Sequence, residues 1–360
     1  MTKDRMRELL GELISIRSDE SEEEHTRFLK SLTEGYGASA HIEEVAPGRF
    51  NFTAIFVGKL PGKSWLFEAH GDTVPGKQPY RWDESTGRVY GRGACDNKAA
   101  LVAMLAGIVR ARETGMLRGT VQLASTCREE TGGEGARALA ASAYRPDLTI
   151  IGEPTRLEIV RAHKGAWRTR ITTHGKAVHS SNPKAGINAI VLMCDIIRVL
   201  ENEFAPTLAR IPHALLGAPT LSVGTIQGGR AANVVPDQCT IEVDWRLVPG
   251  MKTEELLADL RNRFPGATVE QYEFYPPFHE ADDSETLARL RTAIGAVLGK
   301  PAVLTSAPWA ANAGILQHET GQSCVIFGPG DIAQAHTVDE WIEWRQVEMA
   351  AEIYERLLTT

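Results

Sequence analysis

The 360-residue sequence predicts an α/β domain interrupted by an antiparallel α+β insert. Three observations predict it. The first ~165 residues alternate short apolar strands with amphipathic helices, the grammar of an α/β sheet. The middle of the chain instead alternates apolar and polar side chains, as half-exposed antiparallel strands do. After "YPPFHEADD" the α/β pattern returns, so the two ends of the chain belong together and the middle is inserted. The length alone also exceeds what one small core holds.

In chain order, "MTKDRMRELLGELISIRSDESEEE" reads as a polar amphipathic helix and not as a signal peptide. "NFTAIFVG" and "SWLFEAHGD" are strands, and "NKAALVAMLAGIVRARETG" is a helix stopped by Gly115. "GTVQLASTC" is a strand, "GGEGARALAAS" opens a helix, and "PDLTIIGEP" is an apolar strand ending in an acid. The insert supplies "EIVRAHKGAWRTRITTHG", "GAPTLSVGTIQGG" and "DQCTIEVDWRLVPG" as strands, with helices over 186–203 and 253–263. Helices over 284–298 and 339–357 and the strand "QSCVIFGPG" complete the chain. No internal repeat or low-complexity segment is present.

Composition narrows the function. Hydrophobic content of 43% and charged content of 24% are those of a globular protein. A net charge of −7 with no basic stripe argues against nucleic acid. No apolar run approaches the roughly 20 residues that span a bilayer. Five cysteines without a C-x-x-C pair predict free thiols and a reducing, cytoplasmic setting. "GKLPGKS" imitates a phosphate loop, but its glycine spacing is too short and a strand follows it. No G-x-S-x-G elbow supports a serine hydrolase.

Polar, coordinating residues collect at the ends of the predicted strands. His70 and Asp72 end one, Glu129 and Glu130 another, Glu153 a third, and His336 follows a fourth, while Asp96 sits in the loop "GRGACDNKAA". In an open α/β sheet the crevice beyond the carboxyl ends of the strands binds ligands. Taken singly, a strand-end histidine is an ordinary hydrogen-bonded turn residue, and Glu129-Glu130 is solvated loop charge. Together they form a mixed N/O donor set that suits zinc, cobalt or manganese. Paired divalent ions sharing a carboxylate carry out hydrolysis.

"HGDTVPG", "GRGACDNKAAL", "REETGGEGA", "IGEPT", "GKAVHSSNPKAGINAI", "GGRAANVVPDQCTIEVDWRLVPG" and "GPGDIAQAHTVDE" occur in one order. In that order they resemble the di-zinc aminoacylase/carboxypeptidase metallopeptidase family, nearest its acetylornithine deacetylase and succinyl-diaminopimelate desuccinylase branch. The resemblance implies a discontinuous metal-binding catalytic domain (1–169 and 279–360, a mixed sheet flanked by helices) and an inserted dimerisation or lid domain (170–278). It implies two divalent metal ions, Zn2+ first and Co2+ or Mn2+ as alternatives. His70 and Glu153 would hold one, Glu130 and His336 the other, and Asp96 would bridge them. Asp72 would accept the free N–H of His70, and Glu129 would be the general base. His179 would donate to the oxyanion in the partner subunit of a homodimer, and Asn233 and Arg246 would bind a substrate carboxylate.

Two departures from the family pattern bear on substrate. Arg128 stands where relatives commonly carry an acid, and as a cation beside Glu129 it is expected to favour that residue's charged form. Ala310-Ala311-Asn312-Ala313 replaces the usual Gly-Thr-Asp-Ala, leaving Asn312 as the candidate substrate contact there. The expected activity is hydrolysis of an N-acyl amino acid. A desuccinylase or a dipeptidase/carboxypeptidase is the enzymatic alternative, and a catalytically silent assembly protein the non-enzymatic one.

Overall fold

The computed structural model describes residues 1–360, which divide into two compact units. The first comprises Met1–Arg161, Glu280–Thr305 and Ala311–Thr360; the second comprises Ala162–His279 with Ser306–Ala310.

The first unit is built on a mixed sheet. Six of its strands lie in the order Ser39–Ala46, Arg49–Val57, Arg118–Thr126, Leu60–His70, Leu148–Ile151, Cys324–Ile326. Leu60–His70 is parallel to both its neighbours, and Cys324–Ile326 continues the parallel run. Parallel strands place their carboxyl ends on one edge, which is the edge that bears the candidate ligands. Buried on both faces, Leu60–His70 becomes continuously apolar from Trp65 until Glu68 interrupts it. "GKLPGKS" is the irregular start of this strand, with a register shift between Leu60 and Ser64.

Helix Lys98–Glu113 is buried on nearly every side, which explains its Ala-rich composition. It packs on helix Trp344–Thr359 so closely that a Cβ at Gly107 would lie 2.6 Å from Tyr354 Cβ. Leu101, Leu105 and Ile108 join Phe67, Val347 and Tyr354 in the core. Each fully buried aliphatic or aromatic side chain there contributes about 1.5–3 kcal/mol.

The second unit begins at Ala162 and takes in Ser306–Ala310, where the sequence suggests an insert over 170–278, and two helices also differ from expectation. The helix expected over 339–357 begins only at Trp344, because Trp341–Glu343 pairs as a strand with Arg88–Tyr90 in a small separate sheet. That pairing is long-range, so the local pattern could not reveal it. In the insert, the helix expected over 186–203 is Ala189–Val199 followed by a π-turn, Leu200–Phe204.

The second unit is a four-stranded antiparallel sheet in the order Thr220–Gly228, Gln238–Leu247, Gly165–His174, Ala267–Tyr275. Gln238–Leu247 alternates as a half-exposed strand should. Cys239, Ile241, Val243, Trp245 and Leu247 are buried, and Trp245 meets Trp167 at 5.4 Å between ring centroids. The other face carries opposite charges in register: Asp244 lies across from Arg168, and Glu242 across from Arg170. Slipping that register by one residue would bury the charges and expose the core face.

Candidate metal centre

The strand ends bring the expected residues together. His70 closes its strand opposite Thr126, and the chain beyond Thr126 turns through Arg128 to present Glu129 and Glu130. Arg128 has φ 55°, a left-handed conformation uncommon outside glycine. Glu153 follows the neighbouring strand, and Gly328 packs against it so tightly that a Cβ there would meet Glu153 O at 2.5 Å.

The two oxygens of Asp96 face different histidines. Oδ1 lies 2.9 Å from His70 Nε2, and Oδ2 lies 3.5 Å from His336 Nε2. His336 Nε2 is also 2.9 Å from Glu130 Oε2. Ligand atoms of His70, Asp96 and Glu130 all fall within 4.8 Å of one another. Glu153 is buried in the same electrostatic neighbourhood, where His70 favours its charged form, but it stands outside that tight group. His336 is half exposed and, like Arg128, has a left-handed backbone, φ 64°.

The electrostatics suit a cation. Burial pushes the carboxyls of Glu129, Glu130 and Glu153 above the usual range, and neighbouring carboxylates push them further. Burial also opposes charge on Asp96, but hydrogen bonds from His336 and His70 outweigh it and hold that carboxyl low. Hydrogen bonds to Asp96 and Glu130 raise the His336 imidazole to about 10. Ionised together, Asp72, Asp96, Glu129, Glu130 and Glu153 would carry more negative charge than two imidazoles balance. Divalent ions would supply the difference, and the N/O donor set is one that zinc, cobalt and manganese accept, so the residues fit a metal centre.

Three expectations need correcting. The Asp72 carboxylate is 3.6 Å from His70 Nδ1, beyond a hydrogen bond; the ring nitrogen meets the Asp72 backbone carbonyl instead, at 3.0 Å. The carboxylate accepts the backbone N–H groups of Glu129 and Glu130, at 3.0 and 3.2 Å, and so fixes the loop that presents them. Arg128 does not hold Glu129 charged: its Nε pairs with Glu134 at 3.3 Å, and the Glu129 carboxyl is raised. Asn312 is buried, and its amide donates to Glu68 at 3.0 Å and Thr126 at 3.1 Å, an internal contact in place of a substrate contact.

Cys95 and Cys127 are buried thiols, and burial pushes Cys127 up to about 12. Neither is nucleophilic near neutral pH.

In the second unit His179 and Asn233 are exposed on adjoining loops, where the Ser180 N–H donates to the Asn233 carbonyl at 3.0 Å. The Ser181 N–H donates to His179 Nδ1 at 3.2 Å, so the neutral ring carries its proton on Nε2. Arg246 extends the charged face of its strand, and its Nε pairs with Asp244 at 2.7 Å.

The sequence matches peptidase family M20/M25/M40 over residues 66–360, and the chain belongs to that family. It is a metal-dependent hydrolase acting on amide bonds. It is 32% identical to the acetylornithine deacetylase of Proteus mirabilis, over 95% of this chain and 91% of that protein. Its fold is similar to that of the aminopeptidase PepT from Bacillus cereus, with a TM-score of 0.84 at 22% identity, covering 100% of this chain and 98% of that one. It is also similar to the YXEP protein of Bacillus subtilis, described as a dinuclear metal binding peptidase, with a TM-score of 0.73 at 16% identity over 99% and 97% of the two chains. No helix is long and apolar enough to cross a membrane.

Proposed function

We propose that the protein removes the acyl group from an N-acyl amino acid with a free α-carboxylate, as an acetylornithine deacetylase does, in the cytoplasm and with zinc or cobalt. The observation that carries this reading is the Asp96 carboxylate, with one oxygen toward each histidine. His70 and Glu153 would hold one ion, Glu130 and His336 the other, and Asp96 both. Bound there, the ions would polarise the scissile carbonyl and make water a stronger acid.

Glu129 takes the proton of the attacking water and hands it to the departing amine, a transfer suited to a carboxyl that burial makes a stronger base. His179, with its proton on Nε2, donates to the oxyanion. Arg246, oriented by Asp244, and Asn233 bind the substrate carboxylate.

The insert (170–278 from the sequence) acts as the dimerisation and lid domain. The edge strand Thr220–Gly228 is almost wholly exposed, and Ile226, Val191, Leu192 and Ile187 are exposed apolar residues of the same unit. An uncovered edge and apolar surface of this kind suit a second copy of the chain.

The test is a hydrolysis panel of N-acetyl, N-succinyl and N-formyl amino acids and dipeptides, with zinc, cobalt or manganese supplied. N-acetyl amino acids are the expected best substrates. Preference for N-succinyl substrates or dipeptides would overturn the acyl assignment, and metal-independent turnover would overturn the mechanism.

A further inference from the structure

Glu340 lies four residues beyond His336 and is fully buried. Its side chain gathers the loop that carries Asp96. Oε1 accepts the backbone N–H groups of Cys95 at 2.8 Å and Asp96 at 2.9 Å. Oε2 accepts the N–H of Gly93 at 3.0 Å and Arg92 Nη1 at 2.7 Å. Arg92 Nη2 reaches back to the Thr337 carbonyl at 2.9 Å, next to His336. The Glu340 carbonyl is occupied too, by the Gly91 N–H at 3.1 Å and Gln78 Nε2 at 2.9 Å.

A buried carboxylate is costly unless its acceptor sites are filled, and here every strong donor comes from one loop. Only a carboxylate supplies two acceptor oxygens that can each take two donors in this way. An amide in its place would turn an NH2 toward either two backbone N–H groups or an N–H and a guanidinium. The pairing of Trp341 with Tyr90 sits directly beside this clamp and fixes its register.

We propose that Glu340 is a positioning residue for the metal centre: through the backbone of 93–96 and through Arg92 it sets where Asp96 stands relative to His336. This rests on the reading of Asp96 and His336 as ligands. Loosening the clamp lets the Asp96 carboxylate drift from His336, so the loss falls first on metal affinity. Supporting residues behind metal ligands commonly cost 10–100-fold in affinity when altered.

The experiment titrates Co2+ into metal-stripped wild type, Glu340→Gln, Arg92→Lys and, as a control, Glu280→Gln. Glu280 is a buried carboxylate of the same unit, bound by Cys324 N at 3.1 Å and by Ser323, and has no contact with the ligands. Visible absorption reads binding, and circular dichroism reads the fold. Glu340→Gln is expected to raise the Co2+ midpoint about 10–100-fold, with a changed ligand-field spectrum. Arg92→Lys moves it the same way by less, and Glu280→Gln keeps the wild-type midpoint. If Glu340→Gln does not fold, Arg92→Lys decides: a weaker midpoint supports the proposal, and an unchanged one overturns it. Wild-type affinity in a folded Glu340→Gln protein, or an equal loss in Glu280→Gln, overturns it while leaving the metal-centre reading intact. A wild-type protein that takes up no Co2+ overturns both.

Discussion

The edge of the first unit's sheet and the outer face of the insert's sheet use the same residue types to opposite ends. At and beyond the strand ends of the first unit, His70, Asp96 and Glu153 are buried; burial raises the Glu153 carboxyl, while hydrogen bonds and neighbouring charges override burial to raise the His70 imidazole and lower the Asp96 carboxyl. On the insert, Arg168, Asp244 and Arg246 stand partly in solvent and pair across and along strands. The first arrangement concentrates unbalanced negative charge where a cation can relieve it. The second balances each charge with a neighbour. Burial, and not the presence of histidines and acids, separates a reactive centre from a register-setting ladder.

That contrast can be tested at graded cost. Replacing Glu129 by Gln keeps the shape of the side chain but removes its ability to accept a proton. We expect kcat to fall about 10²–10⁴-fold with metal content unchanged; turnover near wild type would exclude Glu129 as the base. His179→Ala is expected to lower kcat about 10²–10³-fold. Mixed with Glu129→Gln protein it should regain activity, because one site in each mixed dimer keeps both residues. No recovery after verified subunit exchange would mean that His179 does not act across the dimer.

Smaller effects follow on the insert. Arg246→Met should cost about 1.5–3 kcal/mol of kcat/KM, the range for a charged hydrogen bond, and the loss should vanish for substrates whose carboxylate is esterified. An equal loss for acid and ester would place Arg246 in the ladder alone. Arg168→Met, at a half-exposed pair screened by solvent, should cost at most about 1 kcal/mol in urea unfolding and leave kcat/KM unchanged. A larger loss would erase the distinction between ladder and centre.

Much of this is legible in the sequence. Strand periodicity located Leu60–His70 and Gln238–Leu247, and the acids and histidines that interrupt or follow apolar strands marked the edge where the centre lies. The helix expected over 253–263 is Thr253–Arg263. The Arg128 guanidinium turns to Glu134, a direction that sequence adjacency to Glu129 does not encode.

The sequence by itself determined which residue types stand at the strand ends, because period-2 and period-3.6 patterns and turn residues are local properties. Tertiary structure alone decided their partners. Asp72 serves the Glu129-Glu130 loop, Glu340 gathers the Asp96 loop from 244 residues away, and Asn312 turns inward to Glu68. A hydrogen bond depends on distance and angle between atoms that chain folding brings together, and neither quantity is written in the order of residues.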